Sequence, residues 1–171
     1  MKLLVVVDMQ NDFVTGALKN EEAVKIIPAI IRKIEKAEKS GDMVVFTHDT
    51  HGENYMNTQE GKKLPVVHCV RGTWGWNIIP ELSAYENGKR VFEKPTFGSE
   101  RLAEFVRESG FEDIELVGVC TDICVISNAM LIKAAVPEAN ITVDGSCCAG
   151  VTPASHQNAL NAMKMCQIDV I

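Results

Sequence analysis

Residues 114–130, IELVGVCTDICVISNAM, decide the fold of this chain. The apolar run 114–119 is rich in β-branched residues, which favours a buried strand. From Asp122 onward the apolar residues recur at helical spacing, and Thr121 or Asp122 is a suitable N-cap. The stretch therefore predicts a strand, a tight turn and a helix. Cys124 falls in the first helical turn, where backbone N–H groups favour a thiolate, although free cysteines are also common as small buried hydrophobes.

The composition suits one globular domain with a small-molecule partner. Of the 171 residues, 46% are hydrophobic and 23% are charged, and a chain of this length buries about two thirds of its unfolded surface. We therefore expect a single domain over residues 1–171. The net charge of −6, without a basic cluster, argues against a nucleic-acid-binding surface. The oligomeric state stays open, a homo-oligomer included.

The cysteines and the start of the chain indicate a cytoplasmic location. Met1-Lys2 leads directly into an apolar run that is too short for a signal peptide, and no run approaches the roughly 20 apolar residues of a membrane span. Without a secretory signal, the six cysteines are expected to be reduced thiols. We expect no membrane partner.

Apolar strands and amphipathic helices alternate along the chain. The predicted strands are 3–7, 43–47, 90–93, 114–119, 141–144 and 168–171, and the predicted helices are 21–39, 99–109, one from Asp122, and 153–165. This order predicts a Rossmann-like, three-layer α/β/α fold with a central, mostly parallel six-stranded sheet. Residues 52–88 show little periodicity, and such long excursions are usually functional.

Side chains that could take part in catalysis or binding follow the ends of several predicted strands. Asp8, Asp49, Lys94 and the segment 120–124 each stand just beyond a strand. Open parallel sheets bind ligands at the carboxyl ends of their strands, so we expect these groups to converge there. A carboxylate, an ammonium and a thiol at one edge can change each other's pKa values. Taken singly, Asp8 could instead cap the next loop, and Lys94 could be an ordinary solvated lysine.

The same residues resemble the cysteine hydrolases of the isochorismatase-like superfamily, most closely the nicotinamidases and pyrazinamidases. The family pattern of Gly, two small residues, Thr-Asp, any residue and Cys-Val is met by residues 118–125, GVCTDICV. Residues 8–13, DMQNDF, match the family's DxQxxF context after the first strand. The resemblance extends through the whole chain and implies the isochorismatase-like fold.

This resemblance implies a catalytic triad of Asp8, Lys94 and Cys124. Asp8 would be the general base and then the acid, Lys94 would steady the thiolate, and Cys124 would attack an amide to form a thioester. It also implies an oxyanion hole built from the backbone N–H groups of Cys120 and Cys124, with the Val119–Cys120 peptide in cis.

Asp49 and His51, followed by His68, have the chemistry of a divalent metal site. Surface loops often hold such residues without a metal, but the resemblance favours a site, because nicotinamidases carry an Asp-x-His here and a later His before Cys-Val and Gly-Thr. Many relatives add a third residue, for which Glu60 is our candidate and Glu53 the alternative. We expect zinc, with iron or manganese as other possibilities.

The resemblance also implies a substrate. Phe13 matches the family's pocket residue, and we assign Gln10 to the same pocket. The implied reaction is hydrolysis of nicotinamide to nicotinate and ammonia, a step of NAD salvage, with pyrazinamide as a surrogate. Several nicotinamidases place a Trp shortly before the second metal His, whereas residues 64–67, LPVV, contain no aromatic. A related cysteine hydrolase acting on another small amide or ureide is therefore the alternative.

Other classes of protein fit the sequence less well. A nucleotide-binding module would need a glycine loop after the first strand, and none is present. A redox role has weak support, because Cys120 and Cys124 are spaced CxxxC rather than CxxC. We assign no site role to His48, which precedes the Asp-x-His motif, or to His156, which is predicted near the start of a helix.

Overall fold

A six-stranded parallel sheet forms the centre of the computed structural model, which describes residues 1–171. The strands are β1 (Leu3–Val7), β2 (Met43–Asp49), β3 (Arg90–Lys94), β4 (Asp113–Val119), β5 (Asn140–Ala149) and β6 (Asp169–Val170). They lie in the order β3-β2-β1-β4-β5-β6, and every neighbouring pair is parallel. The direction of strand addition reverses between β1 and β4, which is where doubly wound sheets open a crevice for ligands.

Seven helices connect and cover these strands. They are α1 (Asn11–Val14), α2 (Glu21–Lys39), α3 (Gln59–Lys63), α4 (Pro80–Glu86), α5 (Glu100–Ser109), α6 (Ile126–Ala135) and α7 (Pro153–Met165). A 3-10 turn at Tyr55–Asn57 adds to the predicted excursion over residues 52–88. No helix combines the length and the apolarity that crossing a lipid bilayer requires.

Two apolar cores lie on opposite faces of the sheet, which gives three layers. Side chains alternate along β1, so Leu4 and Val6 pack with α1, α2 and α4 on one face. Leu3, Val5 and Val7 pack with α5, α6 and α7 on the other. Both cores need β1 to be apolar throughout, and all of its residues are buried. The predicted three-layer fold is confirmed.

Several predicted boundaries match because local signals set them. Helix α2 spans residues 21–39 as expected, and the side chain of Asn20 caps it by accepting from the Glu22 backbone N–H. Helix α5 ends at Gly110, whose φ of 67° is the left-handed conformation that glycine adopts easily. Helix α7 matches its predicted span, and a reciprocal cap between Thr152 and Ser155 fixes its start.

The predicted N-cap after β4 was wrong. Residues Thr121–Val125 form a turn of π-helix, and α6 begins only at Ile126. The Thr121 hydroxyl instead shares a hydrogen bond with the His156 ring, and the Asp122 carboxylate accepts from the Val151 backbone N–H. Neither side chain is free to cap, because both are bonded to a distant part of the chain.

The predicted end of β5 at Asp144 was also wrong. The strand continues to Ala149, and its pairing with β4 shifts register between Leu116 and Gly118. Gly118 has φ +117°, and a Cβ there would clash with the backbone of Val7. The absence of a side chain at Gly118 lets β4 approach β1 closely at the edge where these groups lie.

Candidate active site

The carboxyl ends of strands β1 to β4 open onto one cavity. Its volume is about 460 Å³, and Cys124, Asp49, Glu60 and His68 supply polar groups to its wall. The remaining wall is mostly apolar and includes Phe13, Leu18, Leu64, Phe97, Ile123 and Val151. A cavity with a few convergent polar groups in an apolar wall is typical of a small-molecule site.

Asp8, Lys94 and Cys124 meet at one buried point beside this cavity. The Lys94 ammonium lies 2.6 Å from Asp8 Oδ2 and donates to the Cys124 sulfur at 3.4 Å. The Asp8 side chain is 0% exposed and that of Lys94 only 1% exposed. Three segments far apart in sequence thus bring an acid, an amine and a thiol into contact, as the strand ends predicted.

A neighbouring strand orients the Asp8 carboxylate. The Thr47 hydroxyl donates to Asp8 Oδ1 at 2.6 Å, which leaves Oδ2 to face Lys94. Thr47 stands opposite Val7 in the pairing of β1 with β2, so the sheet register places it there. Asp8 itself has φ 48°, a conformation that turns the chain sharply out of β1.

Burial and charge act in opposite directions on the two other members of this cluster. Burial alone would lower the pKa of Lys94, but the charge of Asp8, followed by those of Cys124 and Asp49, raises the pKa above its ordinary value. Burial raises the pKa of the Cys124 thiol well above its usual range, although Lys94 opposes that rise. Burial therefore opposes the ionisation that a helix start was expected to make easier.

The turn that carries Cys124 is closed by the carbonyl of Cys120. That oxygen accepts hydrogen bonds from the backbone N–H groups of Ile123 and Val125, both at 3.0 Å. The Val119–Cys120 peptide bond is cis, as the family resemblance implied. Burial raises the pKa of the Cys120 thiol to about 12, and no ammonium contacts its sulfur. The contact with Lys94 therefore distinguishes Cys124 from Cys120.

Asp49, His51, Glu60 and His68 form a second cluster in which one ligand atom from each lies within 4.8 Å of all the others. Asp49 Oδ2 is 3.0 Å from His51 Nε2 and 3.3 Å from His68 Nε2, and Glu60 Oε1 is 3.7 Å from both rings. Tetrahedral zinc, with bonds of about 2.0–2.1 Å, separates its ligand atoms by about 3.3 Å. The donor set and its spacing therefore fit a divalent metal.

Surrounding groups hold these ligands in place. His68 Nδ1 is hydrogen-bonded to the Val66 carbonyl at 2.7 Å, which leaves Nε2 facing the cluster. Burial alone would raise the pKa of Asp49, but hydrogen bonds from His51 and His68, together with the charge of Lys94, lower the pKa below its ordinary value. A carboxylate that stays ionised suits a metal ligand.

Not every predicted residue lies where we expected it. Phe13 lies in the cavity wall, but Gln10 does not. The Gln10 amide donates to the carbonyls of Asp49 and Trp76, and its oxygen accepts from the Asp49 N–H. Because these hydrogen bonds occupy the Gln10 side chain within the protein, the assignment of Gln10 to the substrate pocket is corrected. Gln10 instead stabilises the end of β2. Glu53 is exposed and lies outside the metal cluster.

Two residues that support the site were missed in the sequence. Asn128 is buried, and its amide donates to the Cys124 carbonyl at 2.8 Å while its oxygen accepts from the Ser99 N–H. Its position four residues after Cys124 places it one helical turn further on, which is a signal that could have been used. Thr47 had no such local signal, because only the strand register reveals its contact with Asp8.

Comparisons with known proteins agree with this geometry. A family model described as Isochorismatase domain matches residues 2–171. The nicotinamidase/pyrazinamidase of Mycobacterium tuberculosis is 30% identical over 146 residues, which cover 75% of this chain and 77% of that protein. The zinc complex of Pyrococcus horikoshii pyrazinamidase superposes with a TM-score of 0.86 at 28% identity, covering 99% and 98% of the two chains. The N-carbamoylsarcosine amidase of Thermoplasma acidophilum gives 0.79 at 26% identity, covering 99% and 94%.

The fold and the site together define a small-molecule hydrolase of the three-layer α/β/α class. Its sheet order, its cavity at the strand ends and its relatives all agree on this class. The chain belongs to the isochorismatase family, whose model it matches over nearly its whole length.

Proposed function

We propose that this protein is a metal-containing amidohydrolase that converts nicotinamide to nicotinate and ammonia. The observation that carries the proposal is the position of the Lys94 ammonium, 2.6 Å from Asp8 and 3.4 Å from the Cys124 sulfur, at a cavity of about 460 Å³. A buried carboxylate, ammonium and thiol in contact provide the proton acceptor, the cation and the nucleophile that thiol-dependent amide hydrolysis needs. Relatives named nicotinamidase and pyrazinamidase support the choice of substrate.

The first half-reaction forms a thioester. Burial raises the pKa of the Cys124 thiol, so Asp8 takes its proton as the sulfur attacks the amide carbon. A carbon–sulfur bond forms, and the oxygen of the tetrahedral intermediate carries the negative charge. Asp8 then gives the proton to the amide nitrogen, the carbon–nitrogen bond breaks, and ammonia leaves. Lys94 stays charged throughout, since its pKa is raised.

The second half-reaction releases the acid. Water attacks the thioester carbon while Asp8 takes a proton from it, and the carbon–sulfur bond breaks to restore the Cys124 thiol. Backbone N–H groups of Cys120 and Cys124 stabilise the oxyanion in both steps, because they are fixed before the substrate binds. The bonds from the Cys120 carbonyl to Ile123 and Val125 hold that turn.

Asp49, His51, Glu60 and His68 are the residues that would hold the metal, and zinc is our choice. When bound, a divalent ion there would supply a Lewis-acidic anchor for a ring nitrogen, directly or through water. Phe13 lies at the same wall and can pack against an aromatic ring. The substrate carbonyl would then be oriented toward Cys124.

A second substrate class is favoured by the apolar wall near His68. Leu64 lines the cavity there, in a segment without the aromatic residue that several nicotinamidases carry. The wall therefore offers less stacking surface to a heteroaromatic ring. Another small amide or a ureide is the alternative substrate, and an N-carbamoylsarcosine amidase is among the similar structures.

The proposal extends to the cellular setting. All six cysteines are free thiols in the structure, and a reactive thiol is best kept in a reducing compartment. We propose a cytoplasmic enzyme of NAD salvage on these grounds.

Ammonia release by the purified protein tests the proposal. We expect turnover of nicotinamide and pyrazinamide, complete loss of turnover in Cys124→Ala, and normal turnover in Cys166→Ala, whose thiol is exposed and does not line the cavity. A nicotinoyl adduct on Cys124, detected by mass spectrometry during turnover, would identify the thioester. Activity in Cys124→Ala would refute the mechanism, and cleavage of a ureide but not of nicotinamide would move the substrate to the alternative.

A further inference from the structure

A hydrogen bond joins the turn that carries Cys124, residues Thr121–Val125 (the nucleophile turn), to helix α7. No residue of α7 lines the cavity. Thr121 Oγ1 lies 2.7 Å from Nδ1 of His156, which belongs to α7. Thr121 is 0% exposed and stands between Cys120 and Cys124, the two residues assigned to the oxyanion hole. His156 is half-buried and does not line the cavity.

The rest of the fold brings His156 to this position. Gly150 directly follows β5 and lies close to the start of α7, and a Cβ on Gly150 would lie only 2.8 Å from the His156 Cα. The absence of a side chain there allows the close packing of the two segments. The Gly150 carbonyl also accepts from the Asn20 amide at 2.7 Å, which links this corner to the cavity rim.

Each side of the nucleophile turn is held by a different part of the molecule. On one side, Asn128 binds the Cys124 carbonyl. On the other side, Val151 donates its N–H to Asp122, and His156 binds Thr121. Without His156, the Thr121 hydroxyl would be buried with no other partner, and such groups force local rearrangement because they are costly to leave unpaired.

We propose that His156 is a positioning residue for amide hydrolysis, acting through Thr121 to fix the turn that presents the Cys124 sulfur and the oxyanion N–H groups. The inference rests on the proposed function, because it assigns a role in that same reaction. His156 touches neither the cavity nor the triad. Its loss should therefore weaken stabilisation of the transition state, which lowers kcat, and leave substrate binding unchanged. Displacing catalytic groups by about 1 Å can lower a rate by about 10²-fold.

The test compares two ways of removing the bond with two ways of keeping it. His156→Leu and Thr121→Val remove the polar atom at similar volume, whereas His156→Asn keeps a polar group at the δ position and Thr121→Ser keeps the hydroxyl. We expect kcat to fall about 10- to 100-fold in the first pair, with KM within about twofold of wild type. The second pair should retain most of kcat. Gln157→Ala, exposed on the same helix and bonded only to Asn161, is the matched control.

The double variant Thr121→Val/His156→Leu decides whether the two residues act as one unit. If they do, its kcat is no lower than that of the worse single variant. The inference is overturned if His156→Leu keeps kcat within twofold, if KM rises in place of a fall in kcat, or if the two losses multiply. Should His156→Leu fail to fold, Thr121→Val and the two conservative variants decide by the same criteria. A wild-type protein that cleaves no amide would overturn the proposed function itself, which is a different result from an active wild type that is indifferent to His156.

Discussion

Replacing Lys94 by methionine is expected to destabilise the fold strongly, because buried carboxylates would lose their cation. The Lys94 ammonium lies 2.6 Å from Asp8 Oδ2 and 3.6 Å from Asp49 Oδ1, and these two acidic side chains are 0% and 4% exposed. Removing one partner of a buried ion pair typically costs about 3–5 kcal/mol. Asp49 would keep His51 and His68 as partners, so most of the loss comes from Asp8. The total stability of a domain is about 5–15 kcal/mol, so the variant should be marginal.

Urea unfolding followed by circular dichroism measures this loss. We expect Lys94→Met to lower the free energy of unfolding by about 3–5 kcal/mol. Adding Asp8→Asn removes the stranded charge, so the double variant should be more stable than the sum of the two single losses implies, by about 0.5–3 kcal/mol. A loss below about 1 kcal/mol in Lys94→Met, or simple additivity in the double variant, would refute the reasoning. If Lys94→Met does not fold, folding of the double variant supports it, and failure of both refutes it.

Two further predictions concern the metal cluster and the ion pair between Lys33 and Asp144. His51→Ala and His68→Ala should each weaken zinc binding roughly tenfold or more, measured by metal analysis after dialysis. His48 lies outside the cluster, so His48→Ala should retain its full metal content. Full metal content in all three variants would contradict the assignment of the cluster. The Asp144 carboxylate lies 2.8 Å from the Lys33 ammonium, and although burial alone would raise the pKa of Asp144, the hydrogen bond from Lys33 lowers it. Because a depressed folded-state pKa adds stability above the unfolded value of about 3.9, Asp144→Asn should cost about 1 kcal/mol at pH 7 and progressively less as the pH falls through the acidic range. Urea unfolding at several pH values checks this, and a cost that is independent of pH would contradict it.

The sequence by itself determined most of the fold, because the signals that set it are local. Continuous apolar runs and helical periodicity identified all six strands and the long helices, and capping residues such as Gly110 fixed several ends. The order of the elements then implied that the strand ends share one edge. For that reason the meeting of Asp8, Lys94 and Cys124 could be predicted from the sequence.

Only the tertiary structure decided how individual polar groups are used. Gln10 was assigned to the pocket, but it braces Asp49, because its partners lie 39 and 66 positions away in the chain. The Cys124 thiol was expected to favour the thiolate at a helix start, yet burial raises its pKa, and burial depends on every element packed around it. Thr121 was predicted as a candidate N-cap, but its hydroxyl oxygen lies 2.7 Å from Nδ1 of His156, which α7 places there. Hydrophobic patterning depends on residues that are close in the sequence. Hydrogen-bond partners and desolvation depend on distant residues that only the fold brings together.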